Sequence, residues 1–274
     1  MNFINEIIND DCLKVLSQMP EESVDLVVSD IPYKIIAGGV RIIYKDDERG
    51  GVLNKRDYSK TDPQGVLGRG RIIVETDDNP IGRKWLKKGT NNIPSAVKDG
   101  KMFEYNEIEF SEWLPLVYKV LKKGTHCYLM INGRNLAELT KQAEKVGFIW
   151  QQLLVWKKGN ATPNKYYMNA CEYILMLSKR PARNIDNMGR KNVIEVSNII
   201  GNKTHPTEKP VALLKVLIEA SSNKGDLVLD MFCGTGSTLV AAKELGRNYI
   251  GVDIDAGYCE IAKERLERVQ NNLF

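Results

Sequence analysis

Seven short apolar runs, several of them apolar almost throughout, constrain this chain more than any other feature. They fall at roughly Ile4–Ile8, Val24–Ser29, Cys127–Ile131, Gln151–Trp156, Tyr173–Leu177, Leu227–Asp230 and Tyr249–Asp253. A strand with no polar face must be covered on both sides, which is the habit of parallel sheets flanked by helices. Helical periodicity falls between many of the runs. Asn135–Val146 repeats Leu136, Leu139, Ala143 and Val146 and stops before Gly147, and Pro210–Ser221 lines up Leu213, Leu214, Leu217 and Ile218. Thr238–Leu245 and Tyr258–Val269 complete the set. Strands alternating with helices of this length predict an α/β chain with a doubly wound, seven-stranded, mostly parallel sheet.

One stretch breaks the alternation. Residues 38–100 hold 10 of the 22 glycines and three prolines (Pro63, Pro80, Pro94) with little periodicity. They also carry 13 Lys/Arg against 9 Asp/Glu, so the net charge of +4 sits here and the rest of the chain is balanced. A surface for a polyanion concentrates charge in this way; so does a solvated loop. A connection this long is either an arm that orders on a partner or a disordered insert.

Composition removes several classes. The chain, 274 residues and 31.0 kDa, is long enough for a full core as a single domain. No apolar run approaches the ~20 residues that a membrane helix needs, and Met1–Asp10 has acids but no basic residue, unlike a secretory signal. Five scattered cysteines and two histidines, His126 and His205, offer no metal-ligand spacing. No metal is therefore expected, and the thiols suit a reducing cytoplasm.

Near the C-terminus, Asp230-Met231-Phe232-Cys233-Gly234-Thr235-Gly236-Ser237-Thr238 lies between an apolar strand and a helix beginning Leu239-Val240. A tight glycine turn leaving a parallel strand lets backbone amides approach a ligand, and the helix N-terminus adds unpaired N–H donors. Such a turn suits a nucleotide phosphate or an amino acid carboxylate, or serves only as a strand-to-helix connection. The next strand, Tyr249–Asp253, ends in an acid able to accept from both hydroxyls of a ribose. A dinucleotide site would want a third glycine or alanine where this chain has Leu239, which points to a nucleoside-bearing cofactor without a pyrophosphate.

Near the N-terminus, Val24–Ser29 runs into Asp30-Ile31-Pro32-Tyr33, placing a carboxylate, a backbone carbonyl and a ring at the carboxyl end of a strand. Here the chain resembles the DNA amino-methyltransferases that modify adenine N6 or cytosine N4, whose signature is Asp-Pro-Pro-Tyr, or Ser-Pro-Pro-Tyr in many cytosine enzymes. Further segments carry the resemblance: Asn9–Leu13, Leu154-Val155-Trp156-Lys157, Asn169–Leu175 and His205-Pro206-Thr207-Glu208-Lys209-Pro210. A catalytic segment first and a cofactor turn last is the circularly permuted β-class order. The resemblance covers roughly residues 4–35 and 113–270 and departs from the pattern at Ile31, where proline is usual.

The resemblance implies a Rossmann-like fold, S-adenosyl-L-methionine as cofactor and double-stranded DNA as substrate; a homodimer and a cognate restriction nuclease are partners that the sequence leaves open. It implies that Asp30 and the Ile31 carbonyl accept from the amine of a flipped base while Pro32 fixes the loop and Tyr33 stacks. For the cofactor it implies Asp11 and Cys12 near the adenine, Asp253 at the ribose, and Asp230, Phe232, Gly234, Thr235, Gly236, Ser237 and Thr238 at the methionine end. Asp30 also faces the cofactor. Lys209 and Thr207 approach its carboxylate, and His205 orients that turn, unless His205 is simply a surface histidine before proline. Asp30 in place of serine favours adenine N6. Target recognition falls to residues 178–204 and to the insert with Arg83-Lys84-Trp85-Leu86-Lys87-Lys88, a run that a solvated turn would also explain. The competing expectations are an N4-cytosine enzyme, an RNA methyltransferase and a catalytically silent nucleic-acid-binding relative.

Overall fold

Strand β2 (Val24–Asp30) shows why the runs lack a polar face: Leu26 and Val28 enter one core, Val24 and Val27 the other. Its neighbour β5 (Leu121–Ile131) does the same, with Cys127, Leu129 and Ile131 on one side and Tyr128 and Met130 on the other. The computed structural model describes residues 3–32, 71–76, 79–87, 108–162, 166–198 and 208–271.

The remaining strands of the main sheet are β1 (Glu6–Asn9), β6 (Ile149–Thr162), β7 (Asn169–Ser178), β8 (Val193–Glu195), β9 (Leu227–Asp230) and β10 (Asn248–Asp253). They are ordered β1-β10-β9-β2-β5-β7-β6-β8. The pairs from β1 through to β5 are parallel, β7 is antiparallel to both β5 and β6, and β8 is parallel to β6. Helices α1 (Cys12–Gln18), α2 (Phe110–Val120) and α3 (Leu136–Val146) cover one face. Helices α4 (Val211–Ser221), α5 (Ser237–Glu244) and α6 (Ala256–Asn271) cover the other. The result is the expected mixed, mostly parallel, Rossmann-like α/β layering.

The expectation of seven strands is exceeded by β8, three residues long and too short to show a period. It pairs Val193 with Val155 inside the segment read as target recognition, of which residues 199–204 lie outside the described residues. The insert, read as lacking periodicity, contains the antiparallel pair β3 (Arg71–Thr76) and β4 (Asn79–Lys87), in register from Arg71↔Lys87 to Glu75↔Arg83 with a shift before Thr76↔Asn79. The basic run from Arg83 to Lys87 therefore lies on a strand rather than in a turn.

The chain divides into two compact units. One comprises Met1–Tyr33, Ile108–Thr162 and Asn169–Phe274; the other comprises Lys34–Glu107 and Pro163–Met168. The first holds the whole main sheet and its helices. Among the described residues no helix is long and apolar enough to cross a membrane.

Candidate active site

Four neighbouring parallel strands each deliver a polar residue to the same edge of the sheet. In order these are Asn9 of β1, Asp253 of β10, Asp230 of β9 and Asp30 of β2. The register aligns them, with Asn9 opposite Asp253 and Asp230 opposite Gly251. Strand order reverses between β9 and β2, since the chain steps outward from β9 to β10 and, in the opposite direction, from β2 to β5. Open α/β sheets bind ligands at the carboxyl end of such a reversal.

The turn leaving β9 is held from behind. Gly236 caps α5 with φ +76°, and a Cβ there would stand 2.7 Å from Ala262 Cβ, so only glycine fits. Gly234 also has positive φ, +49°, but among the described residues a Cβ on it would meet nothing within 4 Å. One glycine is thus demanded by helix packing, while the other leaves open space in front of the turn. Leu239, at the position where a dinucleotide site would have its third small residue, is buried and fills the place that a side chain on Gly251 would occupy.

The hydroxyls of the turn point inward. Arg265 of α6 donates to the Thr235 carbonyl at 2.7 Å, to Thr235 Oγ1 at 3.0 Å and to Ser237 Oγ at 3.2 Å, and pairs with Glu208 at 3.0 Å. Asp230 is only 3% exposed and accepts from Ser29 Oγ at 2.6 Å and from the Phe232 N–H at 3.2 Å. Burial pushes its carboxyl up to about 6, against the opposing hydrogen bonds from Ser29, Thr238 and Phe232, and the nearby Asp30 charge adds to the rise. Asp253 accepts from the Gly234 N–H at 2.8 Å and from the Asp255 N–H at 2.9 Å. These bonds fix the carboxylate plane, and its remaining lone pairs suit hydroxyl donors. Asn9 clamps the same corner through the carbonyls of Asp253 and Ile254.

Asp11 caps α1, accepting from the Leu13 N–H at 2.8 Å. Cys12 behind it is buried, and burial pushes its thiol up to about 12, so it is a neutral, apolar wall. Phe232 stands edge-on to Trp113 with ring centroids 5.8 Å apart, and the buried Trp113 indole N–H has no hydrogen-bond partner among the described residues.

Asp30 lies at the end of β2, and Lys209 Nζ is 2.5 Å from its Oδ2. Lys209 also reaches Glu172 Oε2 at 3.6 Å, and Glu172 Oε1 is bonded to Lys158. Ile31, 2% exposed, packs into the core beside α1 and α2. Packing thus anchors the backbone at the position where the Asp-Pro-Pro-Tyr signature has proline. Pro32 is half-buried; Tyr33, His205 and Thr207 lie outside the described residues.

The structure therefore brings Asp30, Lys209, Asp230, the glycine turn, Asp253 and Asp11 to one edge. It turns Asp230, Thr235, Ser237 and Thr238 into the protein and leaves Phe232, Gly234, Asp253 and Asp30 partly accessible. It directs Lys209 to Asp30. Sequence reasoning missed Arg265, Glu172 and Ser29. Ser29 and Glu172 carried a signal, Ser29 as a hydroxyl in a mainly apolar strand and Glu172 as the acid in the Asn169–Leu175 segment; Arg265 carried none.

An N6/N4 methyltransferase family model, described as DNA methylase, matches residues 24–264. The Type II methyltransferase M2.DpnII of Streptococcus pneumoniae is 28% identical over 280 residues, covering 95% of this chain and 89% of the relative. The Type II methyltransferase M.HinfI of Haemophilus influenzae is 26% identical over 302 residues, covering 99% of this chain and 70% of the relative. Among solved structures, the M1.HpyAVI–SAM complex matches with a TM-score of 0.61 at 19% identity, covering 95% of this chain and 99% of that one. The cytosine-N4-specific PvuII DNA methyltransferase matches with a TM-score of 0.60 at 17% identity, covering 97% of this chain and 90% of that one.

Proposed function

The chain belongs to the N6/N4 DNA methylase family, and from that premise we propose that it methylates an exocyclic amino group of a base in a specific double-stranded DNA sequence, adenine N6, with S-adenosyl-L-methionine as donor. The observation that carries this reading is the junction of β2 and β9. Asp30 and the glycine turn end adjacent strands, and Ser29, next to Asp30 in the chain, is hydrogen-bonded to Asp230 at the start of that turn.

The residues fit the cofactor. Open space in front of Gly234, a carboxylate at Asp253 fixed by two amides, and the neutral wall at Cys12 suit an amino acid moiety, a ribose and an adenine respectively. When bound, S-adenosyl-L-methionine supplies an electrophilic methyl group. An exocyclic amine is a poor nucleophile because its lone pair is delocalised into the ring. Asp30 and the Ile31 carbonyl accept from its N–H groups, favour the tetrahedral nitrogen and offset the positive charge that grows on it. Positioning supplies much of the remainder. Flipping the base out of the duplex is required to reach them, with Tyr33 stacking on it. The basic strand from Arg83 to Lys87 and the segment 178–204 contact DNA in this reading. A cognate restriction nuclease as partner, supported by the Type II relatives, and a cytoplasmic location complete it.

The test is methyl transfer from labelled cofactor to duplex DNA and to structured RNA, with identification of the modified base. Duplex DNA should be labelled at adenine N6; N4-methylcytosine would favour the cytosine reading instead. Asp30→Ala should abolish transfer while calorimetry still registers cofactor binding, and unchanged turnover refutes the role of Asp30. Asp253→Ala should instead weaken cofactor affinity.

A further inference from the structure

Two carboxylates and two ammonium groups alternate along one line at the catalytic edge: Asp30, Lys209, Glu172 and Lys158. We propose that Glu172 is a positioning residue for methyl transfer: it divides the Lys209 ammonium with Asp30, so that Lys209 orients the Asp30 carboxylate without cancelling its field at the target amine. The inference rests on the amino-methyl transfer reading.

The electrostatic problem is specific. An ammonium 2.5 Å from Asp30 Oδ2 fixes the carboxylate plane and directs the target N–H to Oδ1 and the Ile31 carbonyl. By itself, however, that ammonium would cancel most of the negative field needed where positive charge develops. Glu172 Oε2, on the other side of Lys209 at 3.6 Å, shares that ammonium, so its charge is divided between two carboxylates rather than spent on Asp30 alone. Lys158 meets the far oxygen of Glu172, and its ammonium lies 5.2 Å above the ring of Trp156, which is itself tied to the Val196 carbonyl at 2.8 Å. The brace is thus rigid and sits one residue further from the reacting nitrogen. Both lysine side chains are largely buried, at 11% and 15% exposure, whereas Asp30 and Glu172 are 32% and 35% exposed, so water screens the interaction in part. Burial pushes the Glu172 carboxyl up, but Lys209 and Lys158 outweigh it and hold it below the usual range. Register brings the partners together: Glu172 opposes Trp156, and two residues along β7 Ile174 opposes Met130, which opposes Asp30.

Steady-state kinetics of Glu172→Gln, with cofactor affinity measured by calorimetry and DNA affinity by titration, test this. Expected are a fall in kcat of about tenfold or more and affinities within about twofold of wild type. The alkaline limb of kcat should move to lower pH, because Lys209 keeps its proton less well with one carboxylate than with two. Glu172→Asp should recover part of kcat. Lys209→Arg in the Glu172→Gln background should return the alkaline limb, since a guanidinium does not titrate there. A Glu172→Gln enzyme with kcat within twofold of wild type overturns the inference. So does one whose activity falls only in step with thermal stability, at an unchanged pH profile. Wild-type transfer in the same assay separates the two levels: its absence strikes the transfer reading and this inference with it, whereas an active wild type matched by Glu172→Gln strikes this inference alone.

Discussion

Replacing each glycine of the turn by alanine separates its packing role from its ligand role. At Gly236 two costs add. Holding a non-glycine residue in the left-handed region at φ +76° costs about 1–2 kcal/mol. Forcing a methyl to within 2.7 Å of Ala262 Cβ and 3.3 Å of Ala262 Cα displaces α6 from α5 and costs about 1–3 kcal/mol more. At Gly234, φ +49° carries only the first cost, because nothing among the described residues lies within 4 Å of the added methyl. Gly236→Ala should therefore lose about 2–5 kcal/mol and Gly234→Ala about 1–2 kcal/mol in urea denaturation. Cofactor should close much of the gap between the two variants. A ligand at about 100 times its Kd stabilises the folded chain by about 2.7 kcal/mol. Gly234→Ala should lose most of that gain, because its methyl occupies the space left for the ligand. Equal destabilisation by the two variants without cofactor would refute the packing argument, and a full cofactor-induced gain in Gly234→Ala would refute the assignment of the open space.

Two further predictions concern the supports of the turn. Asp230 titrates near 6 in the fold against 3.8 in the unfolded chain, so its stabilising contribution is complete below about pH 3.8 and is lost as pH rises through 6. Asp230→Asn keeps an acceptor for Ser29 and Phe232 and removes that loss; its urea midpoint should gain on wild type from pH 4 to 7, by at most about 3 kcal/mol, and parallel pH curves would count against the buried charge. Arg265→Met removes three hydrogen bonds to the turn and the ion pair to Glu208, whose side chain is 8% exposed, which should cost about 3–5 kcal/mol. Glu208→Gln in the Arg265→Met background should recover part of that, and no recovery would mean the hydrogen bonds, not the ion pair, dominate.

The sheet was legible because burial on both faces writes itself into composition, so the strands from β1 to β10 that carry long apolar runs could be read directly. Elements whose stability comes from elsewhere were not. Helix α1 is seven residues long, shorter than two turns, and α2 contains Pro115, which reads as a break. The run Arg71–Thr76 is rich in β-branched residues, but it sits among glycines and prolines that dominate any window drawn around it. β8 is held by its pairing with β6 and has no pattern of its own.

At the site the limit was different in kind. Sequence motifs mark Asp30, Asp230 and Asp253 as acids at strand ends, and nothing in the letters separates their work. Environment does. Asp230 is buried with hydroxyl and amide donors and carries a raised pKa, which suits a group that joins two strands. Asp253 is held in plane by two amides, which suits an acceptor for hydroxyls. Asp30 faces an ammonium it shares with Glu172, a carboxylate 142 positions away in the chain. Among the described residues, that third arrangement is the one that places an ammonium beside the acid, which suits the role proposed for Asp30. The division of labour among the acids is therefore a property of partners drawn from α5, α6, β6, β7 and the segment before α4. A motif read along the chain records the acids and omits the partners.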